Sequence, residues 1–259
     1  MTTQLTRAMT GKTAMPPRRA FLDANVLRGH LQTDVLLTLA DLGAFQPRWS
    51  AEVLDEVRRN RPPRLSEQAI DRRLNQMNRA FPQAMVTGYE HLEPEMQADA
   101  KDRHVLAAAV QSTSTVLVTE NVKDFRPPTT GPHAMPVEKT SRFLNRLLED
   151  NHQLVIVAMN EMISRTDREP NTMSALIDKL ASRHDLRSFA QNLNSVVEPE
   201  HRGTHPGLAR GRTAKSAHSV AFDEVAPPTG AAHAPTESPE ARTSQAENQD
   251  KDRGSDREA

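Results

Sequence analysis

The chain has 259 residues, with 33 lysines and arginines against 34 aspartates and glutamates, and no cysteine. The missing cysteines exclude a disulfide framework, a thiolate zinc site and a cysteine nucleophile. No apolar run approaches the roughly 18 residues of a membrane-spanning helix, so a cytoplasmic protein with no membrane contact is expected.

Residues 1–18 hold Lys12 and Arg18 but no apolar stretch fit for a signal peptide. They read as a disordered leader, and Met15 is an alternative start. Ala20 to Asp23 is a short apolar strand that ends on an acid. The helix after it carries Leu31, Val35, Leu36, Leu39 and Leu42 at near-helical spacing and stops at Gly43. Phe45 to Trp49 reads as a strand, and Ser50 is a good N-cap for a helix whose buried stripe is Val53, Leu54 and Val57. Pro62-Pro63 breaks that helix, and another follows over about 66–80 with Ile70, Leu74 and Met77. Met85 to Tyr89 suits a strand, and the acidic segment 90–100, with Pro94, suits a loop.

Asp102 opens a helix bearing Val105, Leu106, Ala109 and Val110; Val116 to Thr119 is a buried strand, and Pro127-Pro128 closes the loop beyond Asp124-Phe125. A strand near Met135 to Val137 precedes a helix with Phe143, Leu144, Leu147 and Leu148. Alternation of strands and helices predicts an α/β fold with a parallel sheet and right-handed crossovers. Beyond Asn151 the pattern is helical only. From about Val197 the chain is rich in Glu, Arg, Thr, Ser, Pro, Gly and Ala, and cannot bury enough apolar surface to offset its ordering entropy. The expected organisation is therefore a leader (1–18), an α/β domain (19–139), a helical extension (140–196) and a disordered tail (197–259).

Four acids fall where such a fold can gather them: Asp23 at a strand end, Glu56 on a helix, Asp102 at a helix start and Asp124 past the Val116–Thr119 strand. In open parallel sheets the carboxyl edge is where sites form. Clustered carboxylates repel one another, and a divalent cation relieves that repulsion. This set predicts Mg²⁺- or Mn²⁺-dependent chemistry on phosphates. Asp102 could also simply cap its helix, Asp124 fix a turn, and Thr119 bond locally to backbone. Asn25, two residues after Asp23, can hold that acid's carboxylate or a phosphate. His104 points about 200° round the helix from Asp102 and is not expected to act as a base. The arginines from Arg58 and Arg59 to Arg79 suit either a phosphate-tracking surface or a solvated helix face.

The stretches Phe21-Leu22-Asp23-Ala24-Asn25-Val26-Leu27, Ser50 to Glu56, Asp99 to Ala109 and Val118 to Phe125 together resemble the PIN domain of VapC-type toxin ribonucleases. The segment 141–193 resembles a helical extension found in one branch of PIN proteins. The resemblance implies a three-layer α/β/α sandwich, with Asp23, Glu56 and Asp102 in the places of three catalytic acids. The fourth place falls either to Asn121, where many PIN proteins carry an acid, or to Asp124; Asp99 is a further outer ligand. Metal ligation is thus expected of Asp23, Asp102, Asp124, Asp99 and Asn121, and substrate binding of Asn25, Arg58 and Arg59. The resemblance further implies an RNA substrate, a small antitoxin partner and a homo-oligomer. The rival readings are a non-toxic housekeeping PIN ribonuclease, an Asp-nucleophile phosphatase and a metal-free PIN scaffold. The phosphatase chemistry wants an acid at position 25, where this chain has asparagine.

Overall fold

The computed structural model describes residues 18–209. Within them run five parallel strands: β1 (Arg19–Leu22), β2 (Gln46–Ser50), β3 (Met85–Val86), β4 (Val116–Val118) and β5 (Val137–Glu138), in the spatial order β3-β2-β1-β4-β5. Ala20, Phe21 and Leu22 of β1 and Val116, Leu117 and Val118 of β4 are all fully buried, the signature of strands covered on both faces. The chain moves outward from β1 through β2 to β3, then crosses back to β4 and β5. Right-handed crossovers therefore place helices on both faces, as a three-layer α/β/α sandwich requires.

The helices are α1 (Ala24–Leu27), α2 (His30–Asp41), α3 (Ala51–Arg59), α4 (Glu67–Ala80), α5 (Arg103–Gln111), α6 (Thr140–Asp150), α7 (His152–Ser164), α8 (Met173–Ala181) and α9 (Arg187–Val196). Ser50 Oγ accepts from Val53 N at 3.3 Å and caps α3 as its sequence position predicts. Gly43, with φ of +80°, ends the α2 segment in a conformation that favours glycine. In α5 the run Ala107-Ala108-Ala109 is fully buried. Its small side chains let the helix lie close on β1, β2 and β4.

Two local details depart from the sequence reading. The expected strand 85–89 shortens to two residues because Gly88, with φ of +74°, turns the chain and delivers Tyr89 to the core. The expected loop at 90–100 begins with a 3-10 helix, Glu90–Glu95.

Helices α6 to α9 share the same core as the sheet. Phe143 of α6 meets Phe45 edge to face at 5.0 Å, and Gln32 Nε2 of α2 donates to Thr140 Oγ1 at 2.6 Å, both groups being buried. The expected tail boundary at residue 197 needs correction, because the packed chain continues to 209. Asp178 Oδ1 accepts from Thr204 N at 2.7 Å and His205 N at 2.8 Å, Asn194 Oδ1 accepts from Gly203 N at 2.8 Å, and Gln191 Nε2 donates to Gly207 O at 2.8 Å. This strap is fastened by hydrogen bonds and not by an apolar stripe, so no periodicity announces it. The rest of the expected tail, 210–259, and the leader apart from Arg18 lie outside the described residues. Arg18 itself pairs with Asp150 at 2.6 Å. No helix among the described residues is long and apolar enough to cross a membrane.

Candidate active site

The order of the strands puts the topological switch point between β1 and β4, and Asp23 stands at its carboxyl edge. Leu22 pairs with Val118, and Asp23 N donates to Val118 O at 3.1 Å, which aligns the residues that follow each strand. Asp23 N-caps the single turn α1, its Oδ1 accepting from Ala24 N at 2.6 Å. Its Oδ2 accepts from Asn25 Nδ2 at 2.7 Å and Thr119 Oγ1 at 2.6 Å. The Thr119 hydroxyl in turn accepts from Asn121 N at 3.0 Å, and Asn25 Oδ1 accepts from Glu120 N at 3.0 Å. A fixed lattice of donors thus holds the carboxylate.

That carboxylate is 5% exposed. Burial pushes its pKa up to about 6, the bonds from Thr119 and Ala24 N oppose the rise, and the charges of Glu56 and Asp102 add to it. Asp102 is also raised, first by burial, with Lys101 opposing and Asp124, Glu56 and Asp99 adding. Although it occupies the N-cap position of α5, its side chain makes no cap bond. Its Oδ2 is buried without a hydrogen-bond partner. Capping therefore does not account for Asp102.

These acids open onto a cleft of about 1600 Å³. Of the residues singled out in the sequence, Asp23, Asn25, Glu56, Arg59, Asp102 and Asn121 line it. Asp99, Asp124 and Arg58 stand outside its lining. Asp99 and Asp124 act on Asp102 through charge, whereas Arg58 is held between Asp55 and Asp71. Asn121 rather than Asp124 is thus the fourth-place residue that borders the cleft. Among the described residues, no three carboxylates or imidazoles are grouped closely enough to hold a metal ion as they stand.

Several residues at the site escape a full reading of the sequence. Thr119 was open to a purely local role, yet its hydroxyl reaches Asp23 across 96 positions, which only the β1–β4 register reveals. His104 also reaches the cleft, where its Nδ1 lies 3.2 Å from Glu52 Oε2. Arg64 and Arg73, from the arginine-rich stretch noted in the sequence, also line the cleft, whereas Arg28, Arg168, Lys179 and Arg183 join them only through the tertiary packing of the helices.

Residues 19–123 match the sequence profile of the family described as PIN domain. Over 100 residues the chain is 31% identical to a Mycobacterium tuberculosis protein named "Putative ribonuclease VapC50". The match covers 39% of this chain and 59% of that relative, so the chain spans less than two thirds of the relative's length. No solved structure matches at comparable significance.

Proposed function

From the premise that residues 19–123 belong to the PIN domain family, we propose that the protein is a ribonuclease that hydrolyses RNA phosphodiester bonds with the help of Mg²⁺ or Mn²⁺. The observation that carries this reading is the acid end of the cleft. Asp23 is buried and immobilised at the switch point, burial and then the charges of Glu56 and Asp102 raise its pKa, and Asp102 keeps a buried oxygen that accepts no hydrogen bond, its cation Lys101 standing 4.0 Å away. The name of the relative supports RNA over DNA.

The donor set fits a hard divalent cation, because it offers carboxylate and amide oxygens without sulfur or grouped imidazoles. Asp23 and Asp102 would hold it, with Asn121 as a neutral ligand and Asp124 and Asp99 contributing charge from further out. Such a cation would supply Lewis-acid polarisation of the phosphate and a more acidic water. The chain's own groups do the rest. Thr119 and Asn25 fix the orientation of Asp23, so its charge is aimed before substrate arrives. Glu56, half-buried on the last turns of α3, can orient a water and take its proton. Arg59, exposed on the same helix, can neutralise a neighbouring phosphate.

The same reading makes the protein the toxin of a toxin–antitoxin pair, its cleft blocked by a small partner protein, and a homo-oligomer. A short reading frame for a small DNA-binding protein next to this gene would support that context. A second reading, a PIN scaffold that binds RNA or a partner without metal, draws support from Asn121 being uncharged and from the ungrouped acids.

One experiment separates the two. Cleavage of a labelled RNA in Mg²⁺ or Mn²⁺ should vanish in EDTA, and Asp23→Asn should slow it by about two orders of magnitude or more, the scale of losing one preorganised charged group. RNA binding without cleavage under any metal would favour the scaffold, and full activity in EDTA would end the metal hypothesis.

A further inference from the structure

The cleft has a second end, and its charge is of the opposite sign. Nine lysines and arginines line the cleft against seven carboxylates, and three of those seven are the acids Asp23, Glu56 and Asp102. Setting aside that trio and Lys101, which pairs with Asp102, eight cations face four acids. Six of the nine, namely Arg28, Arg59, Arg64, Arg73, Arg168 and Lys179, make no ion pair among the described residues. A solvated surface ordinarily interleaves its charges with partners, and this one leaves them open along one concave path.

Arg73 is the most telling of them. It is half-buried on α4, and its Nη2 donates to Leu27 O at 2.9 Å, which fixes the guanidinium at the end of α1. Burial lowers its pKa, with only Asp34 opposing, so the charge is held at a cost that an anion would relieve. Lys179 of α8 is close enough to act on His30 together with Arg73. Arg183 reaches the same place, since a Cβ built on Gly29 would stand 3.8 Å from its Nη2. Arg168 borders the cleft from the α7–α8 loop. Arg168, Lys179 and Arg183 all lie outside the segment 19–123 that defines the PIN match.

We propose that Arg28 and Arg73, together with Arg168, Lys179 and Arg183 from the C-terminal helices, form a second subsite that grips the phosphate backbone of the RNA away from the bond being cut. This rests on the ribonuclease reading above and extends it: the helical segment is part of the substrate-binding surface. The chemistry of recognition follows from the lining. Among the described residues, no phenylalanine, tyrosine or tryptophan borders the cleft, so bases have no large aromatic platform there. The grip is electrostatic, indifferent to sequence and steeply dependent on salt. Nucleic acid is favoured over an acidic protein segment because the cations run along the same cleft as the acids, as one continuous strand would need.

The test measures binding of 3′-labelled single-stranded RNA of about 4 and about 16 nucleotides, the span a single protein site ordinarily covers. The full-length chain carries Asp23→Asn to prevent cleavage, and salt is varied. The longer RNA should show the steeper dependence of log K on log salt. Adding Arg168→Gln, Lys179→Gln and Arg183→Gln should weaken the longer RNA at least tenfold. It should also flatten its slope by roughly 0.7 for each phosphate that is no longer neutralised. Arg126→Gln, an exposed cation off the cleft, should leave the slope alone, and an unchanged melting temperature shows that the triple variant folds. If the parent binds and the triple variant keeps its slope, the second subsite is wrong while the ribonuclease reading stands. If the parent binds neither RNA, the ribonuclease reading itself falls and takes the subsite with it. A triple variant that keeps RNA but loses poly-L-glutamate would reassign this end of the cleft to an acidic protein partner.

Discussion

At the scale of single residues, Asp23 concentrates the conflict between stability and function. Its pKa in the folded chain is about 6 against an ordinary 3.8, so the native state binds the extra proton between those values. Stability from this group is therefore highest below about pH 4, falls as pH rises, and is fully lost above about pH 6. The size of the loss is about 3 kcal/mol. Asparagine at this position cannot titrate. In EDTA, the stability of Asp23→Asn relative to the parent should therefore improve by about 2.4 kcal/mol between pH 4 and pH 7. This corresponds to roughly 5–10 °C in melting temperature for a chain of this size. Comparing two pH values removes the pH-independent cost of placing an amide among the donors of Asn25 and Thr119. Thermal melts at both would check it, and a difference that stays flat would return the carboxyl to the ordinary range. Asp23 and Asn25 were legible in the sequence because a strand-ending acid and its near neighbour need only local pattern. Thr119 was not, since its partner is chosen by the alignment of two strands.

At the scale of elements, the helices bring the acids to the edge of the sheet, and local signals fix where those helices begin. Ser50 is fully buried, caps α3 and offsets part of the burial-driven rise in the Tyr89 pKa. Ser50→Ala should cost about 1–2 kcal/mol, as removal of a buried cap does, read as a lower denaturation midpoint at unchanged m-value. A loss under about 0.5 kcal/mol would mean that packing of Val53 and Val57 alone holds the helix start. The Ser50 cap, the Gly43 stop and the apolar stripes of α2, α3 and α5 could all be read from the sequence, because caps and periodicity are properties of consecutive residues. The turn at Gly88 cut β3 short, and α1 escaped notice, because one turn of helix is too brief to show a period. Part of the basic wall of the cleft, Arg59, Arg64 and Arg73, lies in the arginine-rich stretch legible in the sequence; Arg28, Arg168, Lys179 and Arg183 escaped, because no window of sequence holds them together.

At the scale of the whole molecule, the hydrogen-bonded strap 198–209 belongs with the folded unit, and composition alone put it in the tail. Truncation after Val197 should destabilise the protein by about 1–3 kcal/mol, because Asp178, Asn194 and Gln191 would lose their partners. Truncation after Ala209 should leave the melting temperature unchanged and RNA cleavage within about twofold of the parent, since residues 210–259 show no apolar periodicity with which to contribute a core. Equal melting temperatures for the two truncations would show the strap to be ornamental.

The hydrogen bond between Thr119 and Asp23 closes a loop of 96 positions, and with it comes a kinetic rule for the site. Loop closure of that span carries an entropic cost that no local element can offset in advance. We therefore expect the pocket to form only when β4 docks beside β1, with the sheet largely in place. During synthesis the first hundred residues would leave the ribosome with Asp23 and Glu56 in hand and no pocket to put them in. On the ribonuclease reading proposed above, a chain of this topology would stay harmless to RNA until nearly all of its sheet has been made.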